Sequence, residues 1–522
     1  MLKDQSWFLV TLPKLSVIFT VKRAENDANS MLEVSNENIR NIQQDYGGLY
    51  SKIAPRGAGK SIRYKDNTWI SLINATPYRW HKGHAHSYQL SGWEIKWPEY
   101  IESGESVSVE AKRLESFRHW DSAAEVIYHL ENTTEPMSFQ VQYRSGRIHN
   151  IWVQYMEELH TVNNEKHSEH RLGFHRSPGG VGFVLAGDEK RFYSNDPPIG
   201  WMQSQLDAIG NLSLREIMLP RSHHAGMWKN KKTVGVGIPF NTQTHRTSLY
   251  NQIAHGGVRV LDFRPAKDGE KFHESHGSKI AGAWNGMLGA SLDEMIDHIN
   301  KFNDKYPGEL IVWDIHPTDA WNTNRAFRHL NGVEKAQLYE KLKTLKYRVA
   351  VPETEDVSEW PINKFIGNKT SAVLIRVDES WIVEDGFPGG KEGFISGHNF
   401  PLRHHWSNTN KGTVLLKDQV ENLVANRNQR SNEVYVSDWL LTQKGIGVVI
   451  PLDSIMKLAQ AAWRMMYHEL WDALTENMYP NWLALDDIHG NQPKSFVMAV
   501  NYCLAARQCG TLGGKVKSLE GH

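Results

Sequence analysis

A chain of 522 residues is long for one compact unit and fits two domains, or at most three, each large enough to bury its own core. Its 59 basic side chains balance 59 acidic ones, which excludes a general attraction to nucleic acid and leaves any phosphate binding to local clusters. The 19 tryptophans suit cores, sugar stacking and membrane-interface contact alike and select none of them.

Trp7 to Val21 is apolar but interrupted by Pro13 and Lys14. It is too short to span a bilayer and lacks the basic start and cleavage site of a signal peptide. Residues 1–45 are expected to form a poorly ordered N-terminal segment, and the compartment stays open. From about Trp69 to Tyr193 apolar and polar residues alternate in short runs. Val107, Val109 and Ala111 share one face, as do Val126, Tyr128 and Leu130, and then Phe139, Val141 and Tyr143. The spacing predicts a hairpin turning at Arg144-Ser-Gly-Arg147, and an all-β, sandwich-like domain over 46–193. Within it, His84 and His86 would share a strand face as an exposed pair, and Trp80, Trp93 and Trp97 would fill the core rather than form a sugar or membrane platform.

Ser194-Asn-Asp-Pro-Pro-Ile-Gly200 stops both ladder and helix, and the domain boundary is placed there. Over 194–522 short β-rich runs alternate with amphipathic helices. Strands are expected at Leu214–Leu219, Val258–Phe263, Leu310–Ile315, Ala372–Val377, Val434–Trp439 and Trp482–Leu485. Helices are expected after a Ser291/Glu294 capping box and near 334–345, 414–427, 453–476 and 495–508. This repetition implies a parallel sheet covered by helices, with a TIM-like (β/α) barrel favoured because chemically versatile residues cluster just after the strands. If Cys503 and Cys509 lay on one helix, roughly 9 Å of rise would separate them, beyond the usual Cα limit of about 7 Å for a bridge, so free thiols are expected.

Those clustered residues define the chemistry. His223 and His224 follow one strand, Asp262 and Arg264 another, and His276 comes soon after. Two imidazoles and a guanidinium are the minimum set for metal-free phosphoryl transfer: one ring takes a proton from the attacking hydroxyl, the other returns one to the leaving oxygen, and the guanidinium holds the charge on the phosphate. A zinc cluster of His273, His276, His223 and His224 is the weaker reading, because His273-Glu-Ser-His276 is one residue short of the helical zinc motif.

Here the chain resembles the X-domain family of phosphatidylinositol-specific phospholipases C, in its metal-independent, bacterial-type pattern. Pro220-Arg-Ser-His-His-Ala-Gly-Met227 is similar to the family's Pro-Gly-Thr-His-Asp-Ser-Gly-Thr. Gly257 to Arg264 is similar to Gly-Ile-Arg-x-x-Asp-x-Arg, and an apolar run ending in His276-Gly277 and a Pro480-Asn481 segment leading to Asp486 complete the likeness. The resemblance implies a barrel from about Trp201 onward and no cofactor. It implies His223 as general base held by Asp486, His276 as general acid and Arg264 stabilising the phosphorane, with Asp262 beside them and His224 toward the substrate. His316 and Arg376 lie at strand ends, where they either touch the head group or pack.

The implied products are diacylglycerol and inositol 1,2-cyclic phosphate, from a phospholipid or glycolipid met by transient membrane-surface contact. With Arg264 in place of a carboxylate and His224 in place of Asn, a calcium site is not expected. One departure stands out: the family's Asp after the first histidine, partner of the acid histidine, is His224 here. His276 would then lack a carboxylate or use Asp262. Arg221 and Met227 are larger than the family's residues and would alter the pocket entrance.

Trp284, Met287 and Leu288 would lie in a rim loop, either dipping into lipid or packed beneath it. Two rivals remain. One is a phosphodiesterase acting on glycerophosphodiesters or sphingolipids with a divalent ion; the other is a lapsed barrel whose β domain binds lipid, glycan or protein.

Overall fold

The computed structural model describes residues 6–12, 15–21, 67–114, 121–145, 149–235, 237–280, 283–316, 320–323, 328–387, 389–443 and 453–507. Most of the expected N-terminal segment, the start of the expected β domain and Cys509 lie outside them. Within that N-terminal segment Ser6–Leu12 pairs antiparallel with Leu15–Val21.

Between Thr68 and Tyr193 the alternating runs form two sheets. Six strands, Trp80–Tyr88, Tyr100–Ile101, Ala123–Leu130, Met137–Arg144, Asn150–Glu157 and Glu169–Gly173, pair antiparallel. Four others, Thr68–Ala75, Ser106–Ala111, Gly180–Asp188 and Arg191–Tyr193, make a mixed sheet in which Gly180–Asp188 runs parallel to Thr68–Ala75. One apolar core lies between them. It takes Ile70, Leu72, Phe183 and Leu185 from the smaller sheet and Trp80, Val126, Tyr128, Phe139 and Val141 from the larger, with Trp93 and Trp97 buried beside them. His84 and His86 are exposed and stack at 6.2 Å on one strand face.

The smaller sheet is buried on both sides. Ile73, Ala75, Val184 and Ala186 point away from that core into the larger one that fills the rest of the chain. Their alternation with the inward set is what a strand dictates when each face meets apolar surface. A Cβ on Gly182 would stand 2.7 Å from the ring of Tyr467, so glycine is what lets the ring lie on the sheet. Trp471 donates from its indole to the Gly104 carbonyl at 2.9 Å, and Ser106 donates to Asp472 at 2.8 Å. Farther along, the His175 and His489 rings meet, nitrogen to nitrogen, at 3.2 Å.

The second half carries eight parallel strands. In spatial order they are Phe394–Ile395, Ala372–Arg376, Leu310–Ile315, Val260–Phe263, Leu219–Ser222, Trp482–Leu485, Val434–Asp438 and Leu402–His405. The first and last are not paired with each other, so the sheet order is open. It is nonetheless strongly curled. Leu310–Ile315 and Val434–Asp438 stand four strand intervals apart, about 19 Å in a flat sheet. Yet the one guanidinium of Arg221, on the strand midway between them, lies 3.0 Å from Asp314 and 3.8 Å from Asp438.

Helices Leu292–Lys305, Gly332–Leu342, Gly412–Asn426, Ile455–Met465 and Gln492–Ala499 accompany the sheet, close to the expected positions. Ser291 caps the first by accepting from the Glu294 amide, while the Glu294 carboxylate pairs with Lys229.

Five points of the expected fold need correction. The strand expected at Leu214–Leu219 begins only at Leu219, because the preceding residues turn back toward Trp360 and Ser358. The Phe394–Ile395 and Leu402–His405 strands were not foreseen. Nor was a second six-stranded sheet, in which Lys271–Ile280 pairs antiparallel with Ala283–Ser291. Trp284, Met287 and Leu288 sit on that hairpin and are buried, so they pack and do not form an exposed rim loop. Finally, Cys503 is disulfide-bonded, against the expected free thiol. Its helical segment ends at Ala505 and Arg507 takes φ 56°, so one continuous helix does not carry the chain on to 509.

Candidate active site

The C-terminal ends of the parallel strands open on one mouth. His223 follows Leu219–Ser222, its amide donating to the Leu485 carbonyl at 3.3 Å. That bond brings it against the next strand's end, where its Nδ1 meets Asp486 Oδ1 at 2.9 Å. Asp487, with φ 53°, turns away and receives Arg246 Nε at 2.7 Å. His245, buried beneath the pair, fixes this corner. Its Nδ1 accepts from the Ile488 amide at 3.3 Å, so its Nε2 carries the proton and donates to the His223 carbonyl at 2.8 Å.

Asp262 is fully buried between two guanidiniums. Arg221 lies 3.2 Å from its Oδ1 and Arg264 donates to its Oδ2 at 3.3 Å. Burial opposes its charge, but Arg221 and Arg264 hold its pKa well below the usual carboxylate range. Arg376 donates to Asp314 Oδ1 at 3.0 Å, and His404 meets Asp438 Oδ2 at 2.7 Å. Both aspartates are held low in the same way, Asp314 by Arg376 and Arg221, Asp438 by His404 and Arg221, against the cost of burial. The result is a network of polar contacts contributed by six strands, with Arg221 at its centre. Arg221 is 1 % exposed. It therefore lines the interior, not the pocket entrance as its size alone suggested.

His276 stands on the Lys271–Ile280 strand, half-buried, with Nδ1 against the Thr242 carbonyl at 2.7 Å. The rings of His223 and His276 are 5.9 Å apart, and that of His224 stacks on His276 at 3.9 Å. Burial, then the charge of His223, with Arg264 adding to it against the Thr242 carbonyl, pushes the His276 pKa down to about 3. His224 takes a left-handed φ of 46° and is 1 % exposed. Its Nδ1 faces the Ser275 carbonyl at 2.9 Å and its amide donates to Asp262 at 3.2 Å. Burial and the nearby cations hold it far below an ordinary histidine pKa.

Glu274 ties the three sequence motifs together. Its carboxyl accepts from the amides of Arg264 at 3.0 Å and of Gly226 and Ser275 at 3.2 Å. Burial, with Asp262 close by, raises its pKa well above the usual range. A Cβ on Gly226 would lie 2.4 Å from the Glu274 Cβ, which is why the first motif needs glycine there.

The structure thus brings His223, His276, Asp262, Arg264 and Asp486 to one mouth, with Arg376 at its edge. His316 follows Leu310–Ile315, half-buried, its amide bonded to the Phe263 carbonyl at 2.8 Å, and lies near enough to Asp262 to help lower it. His224, expected to face the substrate, is instead packed behind His276. The carboxylate His276 lacks is not replaced by Asp262, whose oxygens are taken by the arginines; the Thr242 carbonyl stands there instead. Sequence reasoning missed Glu274, His245, His404 and Asp438. Asp438 ends a predicted strand, which is the signal that could have marked it.

Among the described residues His223, His224 and Asp262 offer ligand atoms all within 4.8 Å of one another. A cation there would sit beside the two guanidiniums that already neutralise Asp262, so the donor set fits a divalent ion poorly. His273 turns away toward the Gly289 carbonyl, at 3.4 Å. Among the described residues no helix is long and apolar enough to cross a membrane.

No family model and no curated protein matches the chain. Two solved structures of phosphatidylinositol-specific phospholipase C from Staphylococcus aureus are similar. A variant of that enzyme shows 18 % identity and a TM-score of 0.42, covering 58 % of this chain and 97 % of its own. The other, from work on its membrane binding, shows 17 % identity and a TM-score of 0.42, covering 58 % of this chain and 98 % of its own. The fold stands on the strand order above and not on this likeness.

Proposed function

We propose that the protein is a phospholipase C-like phosphodiesterase that cleaves phosphatidylinositol or a related inositol glycolipid by two-histidine acid–base catalysis. In this reading the open parallel sheet is a (β/α) barrel and its mouth the active site. The inositol 2-hydroxyl attacks the adjacent phosphorus while one imidazole takes its proton. The bond to the diacylglycerol oxygen breaks, and the other imidazole supplies a proton to that oxygen. Arg264 carries the charge on the phosphorane, with Asp262 fixing its fork. Arg376 and His316 are placed for the head-group hydroxyls.

One observation carries the reading: the His223 and His276 rings lie 5.9 Å apart beside a guanidinium held by Asp262. The two rings are thus close enough to serve one phosphoryl group as its two proton-transfer sites. The test is release of inositol 1,2-cyclic phosphate from phosphatidylinositol vesicles in excess chelator, native protein against His223→Ala. Chelator-resistant product that vanishes in the variant supports the proposal. Turnover that needs a divalent ion, or none from folded protein, overturns it.

A further inference from the structure

We infer that the β-rich half of the chain completes the active site: His175, which it carries, is a positioning residue that holds the loop of Asp486 against His223. This role rests on the two-histidine reading above. The loop runs from the end of Trp482–Leu485 to the start of Gln492–Ala499 and carries Asp486, whose Oδ1 lies 2.9 Å from His223 Nδ1. The next residue, Asp487, takes a φ of 53° without being glycine, a conformation that lasts only where the surroundings enforce it. The parallel half enforces it from one side. There the Asp487 amide donates to the Thr244 carbonyl at 2.7 Å, and its carboxylate accepts from Arg246 at 2.7 Å and from Gln460 at 2.9 Å.

His489 enforces it from the other side. Its Nδ1 meets the Asp487 carbonyl, and its ring stacks at 5.0 Å on Trp463, whose indole donates to the Asp486 carbonyl at 2.9 Å. One imidazole thus bears on the backbone of both aspartates. What fixes that imidazole comes from the β-rich half, where His175 Nε2 stands 3.2 Å from His489 Nε2. A carbonyl only accepts, so the His489 proton is on Nδ1, its Nε2 keeps a lone pair, and His175 is the donor between them. Burial lowers the pKa of both rings, that of His175 to about 3, which agrees with a neutral pair joined by one proton.

His175 is itself held in place. It lies between the strands Glu169–Gly173 and Gly180–Asp188, and its carbonyl accepts from Thr68 Oγ1 at 2.6 Å. The same segment reaches the far end of the loop, where Gln492 donates to the Leu172 carbonyl at 3.2 Å. The β-rich half therefore grips the stretch that follows Asp486 at both His489 and Gln492. Without the His175 donor the His489 ring is released, and with it the turn at Asp487 and the direction in which the Asp486 carboxylate points.

The test compares native protein with His175→Phe, which keeps a ring and loses the donor, and with His175→Gln, whose amide nitrogen can stand where Nε2 does. Release of inositol 1,2-cyclic phosphate from phosphatidylinositol vesicles is the assay. In His175→Phe kcat is expected to fall about 10–100-fold with KM little changed, and in His175→Gln to be largely restored. Because the effect passes through Asp486, adding His175→Phe to Asp486→Asn should cost less than about twofold more, whereas a loss from general destabilisation would multiply. If His175→Phe does not fold, His489→Asn tests the same joint and should show the same loss, since its amide keeps the bond to the Asp487 carbonyl but is too short to reach His175. Unchanged kcat in the folded variant, or a multiplying loss in the double variant, overturns the role of His175 and leaves the two-histidine reading standing. Absence of turnover by native protein overturns that reading, and the positioning role with it.

Discussion

The molecule has two interiors of opposite character. Between the two N-terminal sheets, aromatic rings meet rings: Trp80 and Phe139 at 4.9 Å, Phe139 and Phe183 at 4.8 Å. Inside the mouth of the parallel sheet, the buried groups are Arg221, Asp262, Asp314, Asp438 and Glu274. The first interior gains stability from every side chain it hides. In the second each charge loses its hydration and recovers most of that loss only from partners in fixed places, which makes it a weak source of stability. Its return is a set of fixed charges around the two histidines.

That contrast can be broken in several ways. Arg221→Met leaves three buried aspartates without their shared cation and should cost about 3–5 kcal/mol in urea unfolding, with more aspartate-side rearrangement than any apolar truncation. Phe139→Ala should cost a similar or slightly smaller amount, about 3–4 kcal/mol, through its cavity alone. If Arg221→Met proved neutral, the charged interior would be dispensable to the fold and its distinction from the apolar one would be lost. Asp486→Asn should fold normally yet lower turnover about 10²–10³-fold, since it removes the counter-charge of His223 and little packing; an unchanged rate would sink the pairing.

Acid sharpens the comparison, because buried histidines in the mouth and at the junction of the two halves respond to it. His276, His175 and His245 have pKa values lowered by burial to about 3, 3 and 4, below an unfolded value of about 6.5. A lowered folded pKa means stability that is full above the unfolded value and is lost as pH falls toward the folded one. Urea midpoints should fall between pH 7 and pH 4.5, and fall less in His175→Phe. The smallest effect is expected at the exposed pair: His84→Ala and His86→Ala should each stay within about 0.5 kcal/mol of native.

Much of this was legible in the chain. The alternating runs ending at Leu130 and Tyr143 pointed all their apolar members into one core, because a strand has only two faces. The parallel strands were found wherever the apolar run was long enough, as at Leu310–Ile315, and missed at Phe394–Ile395, where two residues carry no period. The hairpin bearing His276 was read as a loop because Gly277, Gly286 and Gly289 interrupt its pattern. Gly277 and Gly286 reflect close approach across the hairpin and Gly289 close approach to Gly226, and close approach cannot be seen from one strand. Asp486 was identified but not distinguished from Asp487; the left-handed φ at Asp487 settles which one faces His223. Glu274 and His245 gave no sequence signal, since many of their partners are backbone groups.

The sheet formed by Thr68–Ala75, Ser106–Ala111, Gly180–Asp188 and Arg191–Tyr193 has no face to spare. Cut away from the parallel sheet it would show Ile73, Ala75, Val184 and Ala186 to water, and the parallel half would in turn uncover Tyr467 and Trp471. Neither half is a portable cassette. A lineage can neither drop the β-rich half nor lend it to another protein without rebuilding a surface, so the two halves should be gained or lost together.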